Sequence, residues 1–343
     1  LRRFLIVALI VVVGIVCVEL AMRPFVRADF VGPSAARYDP YYGWVLKPGY
    51  SAPVTSDDLT YRVGINALGF RGPEVPDPAH GSILFFGDSW TFGVAVDNDG
   101  VFPELVRRAL DDRFGAGAVP VLNTAMAGSG QGRWLRFLRR DAAGFEPRFV
   151  VMQFCRNDFD DNHIEGLYEL DESGGVREVA VAPQSRLRAL QERIESVPMV
   201  PYSRIYAVVK QTVKHVFTDE GRRAEQAQRT NTSLRTESGP DDDLTYRITE
   251  ACLEICRERG WPVVAISSPI PDGERRNRLV ELLAQYGHEL VPIPDGAGRP
   301  DLYFPAPHGR WNGDGHRFVA EVLLEQILSH PEIAGGDGVA APR

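Results

Sequence analysis

Cysteine is scarce in this chain, with 4 in 343 residues. Cys17 lies in an apolar run, Cys155 stands alone, and Cys252 and Cys256 are one helical turn apart. That placement offers neither a disulfide framework nor a zinc set, so no metal site is expected. Cys252 and Cys256 read instead as small buried apolar residues on a helix. An excess of positive charge is also missing: 38 Lys and Arg face 46 Asp and Glu, a net charge of −8, which argues against a nucleic-acid partner. The run Asp241-Asp242-Asp243 reads as a solvated linker or a helix-start cluster. There is no internal repeat. The glycines at 128, 130 and 132 do not complete the G-x-G-x-x-G frame of a dinucleotide loop, which fails at Arg133.

What the amino end does have is a long apolar run. Phe4 to Met22 is apolar except for Glu19, long enough at about 1.5 Å per residue to cross roughly 30 Å of hydrocarbon. It reads as a transmembrane anchor over 1–22, single-pass in a cytoplasmic (inner) membrane. The rest of the chain is then expected outside the cytoplasm, in a periplasm or on a cell surface. A cleaved signal peptide is the rival, but no small-x-small cleavage site follows the run. Val16 before Cys17 also lacks the small residue that resemblance to a bacterial lipobox would require. Arg2 and Arg3 favour a cytoplasmic amino end, while Arg23 and Arg27 on the other flank weaken that argument. The chain starts with Leu rather than Met, so its true start is expected upstream.

Chemistry is first suggested at Ile83-Leu84-Phe85-Phe86-Gly87-Asp88-Ser89-Trp90-Thr91. Ile83 to Phe86 reads as a buried strand, Gly87 and Asp88 as turn residues, and Val101 to Phe114 carries helical spacing. Ser89 is therefore expected on a strand-to-helix loop, at the carboxyl end of a strand where open α/β sheets bind ligands. A helix-capping turn is the plain alternative. The G-x-S-x-G elbow does not fit, because Thr91 stands where its last glycine would be.

The segment instead resembles block I of the SGNH (GDSL-like) hydrolases, with Trp90 in place of the leucine. Two later segments resemble blocks II and III: Asn123-Thr124-Ala125-Met126-Ala127-Gly128 after a strand at 119–122, and Cys155-Arg156-Asn157-Asp158 after a strand at 149–154. The resemblance implies a serine nucleophile at Ser89. It also implies an oxyanion hole made by the backbone N–H groups of Ser89 and Gly128 and the side-chain amide of Asn157. Such donors stabilise the charge that acyl transfer develops on a carbonyl oxygen, and glycine at 128 lets the backbone approach a ligand closely. Cys155 replaces the family's usual glycine. As a plain alternative, Asn157-Asp158 caps a strand loop.

The fourth block departs from the family pattern. The family has Asp-x-x-His or Asp-x-His before an Asn, a Gly and the last helix. Here the region reads Tyr303-Phe304-Pro305-Ala306-Pro307-His308-Gly309-Arg310-Trp311-Asn312-Gly313-Asp314-Gly315-His316. Aligned on Trp311-Asn312 and Gly315-His316, His308 falls on the aspartate and Arg310 on the histidine. A small loop shift would make His308 the general base, preferred because a protonated arginine accepts no proton. No acid stands two or three places before His308, so Asp301 is the nearest candidate to orient it. Asp88 and Arg310 are expected to line the site. His316, in the first turn after a capping Asn312, reads as a structural histidine.

Residues 23–80 are rich in Pro, Gly and Tyr and include Ile65-Asn66-Ala67-Leu68-Gly69-Phe70-Arg71-Gly72. They resemble the β-rich lead-in of membrane-anchored SGNH-like proteins and are expected to pack on the main domain, with sugar binding by their aromatics as the alternative. Strands near 83–86, 119–122, 149–154, 262–267 and 289–293 alternate with helices near 101–114, 132–143, 244–259, 273–286 and 315–329. That alternation predicts a three-layer α/β sandwich with a parallel five-stranded sheet, SGNH/flavodoxin-like, over 81–332. An insertion at 160–243 reads as a helical lid or membrane-facing element over 184–217, or a helix packed elsewhere, then a flexible linker over 218–243. A flexible tail is expected over 333–343. These readings combine into a membrane-anchored serine ester hydrolase without a cofactor, acting on an O-acyl ester of carbohydrate or lipid. An O-acyltransferase on envelope polysaccharide and a non-catalytic binding protein are the alternatives.

Overall fold

Alternation within four residues sets the architecture. Ile83 and Phe85 of strand β5 (Ile83–Phe86) enter one apolar core, and Leu84 and Phe86 enter another. A strand that buries both faces belongs in the middle of a sheet covered on both sides. The computed structural model describes residues 2–26, 32–56, 59–76, 79–213, 242–306, 308–330 and 333. In it, β5 lies between β6 (Val121–Asn123) and β7 (Phe149–Phe154), and the parallel sheet continues through β10 (Val263–Ser267) to β11 (Leu290–Val291). On one face lie α4 (Gln131–Arg140), α8 (Asp243–Arg259) and α9 (Glu274–Gln285). On the other lie α3 (Phe102–Phe114) and α10 (Gly313–Ser329). This is the expected three-layer sandwich.

The chain moves outward from β5 to β6, then returns to place β7 on the other side of β5. Such a switch point opens a crevice at the strands' carboxyl ends. Ser89, after β5, and Asn157, after β7, both stand there. The outer strands are shorter than expected. β11 stops at Val291 because Pro292 has no N–H for the ladder, and β6 starts only after Pro120.

The lead-in forms two antiparallel hairpins, β1 (Ala36–Asp39) with β2 (Gly43–Leu46) and β3 (Ser51–Ser56) with β4 (Leu59–Gly64). Tyr61 and Val63 pack with Phe92 and Val94, beneath the loop that follows Ser89. The insertion contains α5 (Asp158–Glu165) and a hairpin of β8 (Tyr168–Leu170) and β9 (Val176–Glu178) that the sequence did not announce. Helices α6 (Arg186–Glu195) and α7 (204–213) follow. The linker expected over 218–243 and the tail expected over 333–343 lie almost wholly outside the described residues. Within 241–243, Asp242 is not solvated: it is buried in an ion pair with Arg275, Oδ1 to Nη2 2.7 Å, at the start of α8. Cys252 and Cys256 are buried on α8. At the amino end, α1 (Arg2–Ala21) is an exposed apolar helix long enough to cross a membrane, a property it shares with signal sequences.

Candidate active site

Ser89 opens a single helical turn, α2 (Ser89–Phe92), capped by Asp88, whose Oδ1 accepts from the N–H of Trp90 at 2.9 Å. The turn is tight because Gly87 has Thr91 against it: a Cβ at 87 would stand 2.0 Å from Thr91 Oγ1. Ser89 is buried, and its hydroxyl donates to Asp88 Oδ2 at 3.1 Å. The N–H groups of Ser89 and of Gly128, a left-handed turn residue at φ +73°, have no hydrogen-bond partner among the described residues. Two of the three donors implied for an oxyanion hole are thus open. The third is engaged: Asn157 Nδ2 donates to Asp88 Oδ2 at 3.0 Å and to Asp161 Oδ2 at 2.6 Å.

The fourth block sits over the serine as a closed loop. Tyr303 and Trp311 form a β-bridge, Phe304 N–H donates to the Arg310 carbonyl at 2.8 Å, and Trp311 Nε1 donates to the Tyr303 hydroxyl at 3.2 Å. Trp90, beside the serine, packs edge-on to Trp311 with ring centroids 4.8 Å apart. That clamp brings Arg310 to the nucleophile, and Nη1 of Arg310 donates to Ser89 Oγ. His308 is half-buried on the same loop, and its ring meets the edge of Phe304. Among the described residues, no hydrogen bond joins His308 to Ser89. Asp301 is turned away: Arg299 grips its exposed carboxylate, Nη2 to Oδ2 2.7 Å, and holds it below the usual carboxylate range. Asn312 caps α10, accepting from the N–H groups of Asp314 and Gly315. His316 is buried and stacked on Phe102, whose N–H donates to Nδ1 at 3.2 Å, and burial lowers the imidazole to about 3. Its first-turn position and structural character match the sequence reading.

Under the serine lies a carboxylate network that residue types alone did not reveal. Asp158 is fully buried, and its Oδ2 accepts from the Cys155 N–H at 2.9 Å and from Gln131 Nε2. Burial, reinforced by the charge of Asp88, pushes Asp158 well above the carboxylate range. Burial likewise raises the Cys155 thiol well above its usual value. The available signal was helical spacing, since Asp161 stands four residues after Asn157. Beside Gly128, a cleft of about 630 Å³ runs between Tyr38 and Trp44 of the lead-in and Ile164, Val181 and Arg188 of the insertion. It does not reach Ser89 itself. Among the described residues, no group of three or more His, Cys, Asp or Glu side chains could hold a metal ion.

Residues 85–288 match the GDSL-like Lipase/Acylhydrolase family. Among solved structures, TesA is 15% identical, covering 72% of this chain and 98% of its own, with a TM-score of 0.42. The esterase EstA from Pseudoalteromonas sp. is 11% identical, covering 72% and 96%, with a TM-score of 0.38. Axe2, an acetylxylan esterase from Geobacillus stearothermophilus, is 13% identical, covering 76% and 97%, with a TM-score of 0.29. No curated protein matches the chain. The family match takes in the end of β5 and all of β6, β7 and β10 together with Ser89, Gly128 and Asn157 and extends over more than half of the sequence, so the chain belongs to the GDSL-like lipase/acylhydrolase family, with the SGNH fold.

Proposed function

We propose that this chain is an O-acyl-ester-directed protein of the SGNH type, held at the cytoplasmic membrane with its α/β domain outside the cytoplasm. In this reading the serine centre binds the carbonyl or carboxylate of an acylated carbohydrate or lipid and does not turn it over through a serine–histidine pair. One observation carries the reading: Arg310 donates to Ser89 Oγ. A base must accept the serine proton, and a guanidinium has no lone pair to do so. It is a good anion partner, because its planar fork matches a carboxylate and its charge strengthens each hydrogen bond. The other N–H groups of Arg310 have no partner among the described residues. With the open N–H groups of Ser89 and Gly128, they would meet a ligand oxygen from several sides.

The hydrolytic reading is supported by family membership and by His308, half-buried two residues from Arg310 on the same loop. There His308 takes the Ser89 proton as Oγ attacks the ester carbonyl, then returns it to the departing alcohol, leaving an acyl-serine. Water releases the acid and regenerates Ser89; a sugar hydroxyl in place of water makes the protein an O-acyltransferase on envelope polysaccharide.

Mass spectrometry of the full chain in detergent after exposure to a serine-directed fluorophosphonate separates the readings, with Ser89→Ala and His308→Ala alongside. A folded wild type that stays unlabelled is the expected result. Labelling at Ser89 that disappears in both variants would overturn the binding reading and establish the hydrolytic one.

A further inference from the structure

We propose that the outer face of α6 and α7 is seated on the lipid bilayer beside α1, so that the α/β domain touches the membrane through two adjoining elements. The inference rests on α1 being a membrane span, as in the proposed function.

Glu19, the one acid in the apolar run, has a defined role. Its carboxylate accepts from Ser203 Oγ at 2.9 Å and from the N–H groups of Arg204 at 2.7 Å and Ile205 at 3.4 Å. These are the first donors of α7, so the carboxylate caps that helix and meets the positive end of its dipole. Glu19 stands two residues before the end of α1 at Ala21, about 3 Å along the axis. The start of α7 therefore lies level with the end of the span.

The turn before α7 and the outer sides of α6 and α7 carry exposed large apolar side chains. Met199 is 79% exposed, Tyr202 63% and Val209 53%. Leu187 and Leu190, one turn apart on α6, are 54% and 53% exposed. Met199 also holds a left-handed backbone at φ +70° between Pro198 and Pro201, a strained conformation for a long side chain. Underneath, the buried Glu195 ties this face to the domain, accepting from Ser34 N–H at 2.9 Å, Lys47 Nζ at 3.2 Å and Tyr206 hydroxyl at 3.2 Å. The carboxylate of Glu195 thus points inward, while aliphatic groups point out beside the exposed arginines of α6. An outward apolar patch marks an interaction site. Continuity with α1 identifies the occupant as the bilayer that α1 enters. Arg186 and Arg193, exposed on α6, suit anionic headgroups.

The test uses the full chain reconstituted in phosphatidylcholine–phosphatidylglycerol vesicles carrying nitroxide lipids. An environment-sensitive thiol fluorophore is placed on Met199→Cys or Val209→Cys in a Cys17→Ser background, with Glu258→Cys on α8 as reference. Native Cys17 is labelled separately to report on the span. Interfacial burial of about 5–10 Å predicts that shallow nitroxides quench positions 199 and 209 by about half or more and leave 258 unchanged. Quenching at Cys17 without quenching at 199 and 209 would overturn the seat while the span stands, and so would equal quenching at 258. If Cys17 is not quenched either, the span and the seat both fall.

Discussion

The guanidinium of Arg71 lies against the backbone of Gly93, Nη1 donating to its carbonyl at 2.7 Å, and so ties the lead-in to the turn that presents Ser89. The same group donates to the carbonyls of Phe92 and Val96, and Nε donates to Asn98 Oδ1 at 2.8 Å. Arg71 is buried, and burial lowers it to about 10. Replacing it by leucine strands several carbonyls in an apolar setting, at a cost of about 3 kcal/mol or more. Urea unfolding of Arg71→Leu is expected to show that loss. Arg71→Lys should recover little of it, because an ammonium cannot reproduce the fork.

On the alignment through Trp311-Asn312 and Gly315-His316, Arg310 and His308 fall at the histidine and aspartate positions of the family pattern, and two substitutions would then restore the Asp-x-His order. The double variant His308→Asp, Arg310→His is expected to gain fluorophosphonate labelling at Ser89. A positioned base contributes about 10²–10⁴-fold, which sets the size of the gain in labelling rate over wild type. Arg310→His alone should gain less, since nothing then orients the ring. If the double variant folds, as judged by its urea midpoint, and is no more reactive than wild type, then Arg310 is not what holds Ser89 inert.

His316 gives the fold an acid-side weakness. Its Nδ1 accepts from Phe102 N–H, so the ring is neutral in the folded chain. The folded value, about 3, lies below the ordinary 6.5. The unfolded chain therefore binds the extra proton first, and this contribution is whole above about pH 6.5 and is lost as pH falls toward 3, by up to about 1.4 kcal/mol per pH unit. Urea midpoints of wild type and His316→Gln, compared at pH 7.5 and pH 5, should converge at the lower pH. A constant gap between them would show that His316 is not the titrating group.

Gly315 lets α10 pack against the fourth block. A Cβ there would stand 2.2 Å from the Leu302 carbonyl oxygen, a backbone atom that cannot swing away. Gly315→Ala is expected to destabilise by about 1–3 kcal/mol, as overpacking does. It should also disturb Asn312, which accepts from the Gly315 N–H at 3.0 Å. Thermal unfolding measures the first effect, and a change in tryptophan fluorescence from Trp90 and Trp311 reports the second.

Three of the 4 thiols should be silent in the folded protein. Burial raises Cys155 and Cys252 well above the usual thiol range and Cys256 to about 12, and the thiolate is the reactive form. Counting N-ethylmaleimide adducts by mass is expected to give no modification of Cys155, Cys252 and Cys256 in detergent and modification of all three in urea. Early modification of Cys155 would mean that the loop under Ser89 opens in the native state.

The strands and helices of the sandwich could be read because each carries its own periodicity. Ile83 to Phe86 and Phe149 to Phe154 read as two-sided strands because they are short, mainly apolar runs followed by turn residues, and Asn312 caps α10 with its own side chain. Ser89 was visible for the same local reason, the turn forced by Gly87 and Asp88. The fourth block was not, because residue type and register gave different answers. Chemistry favours His308 as a base, whereas the Tyr303–Trp311 bridge and the packing of Trp90 on Trp311 decide which side chain meets the serine. The Trp90–Trp311 contact joins residues more than 200 positions apart in sequence and leaves no periodic trace. The engagement of Asn157 by Asp88 and Asp161 was hidden likewise, since it depends on two loops meeting at the sheet's switch point.

The bond between Glu19 and the first turn of α7 also fixes posture. A domain hung from a helix by peptide alone can swivel, and lengthening the peptide widens its sweep. Here the helix and the domain are pinned directly, through Ser203 and Arg204, independently of the strand of chain that joins them. Inserting glycines after Phe25 would therefore lengthen the leash without freeing the load. The contact acts as a bracket between α1 and the start of α7.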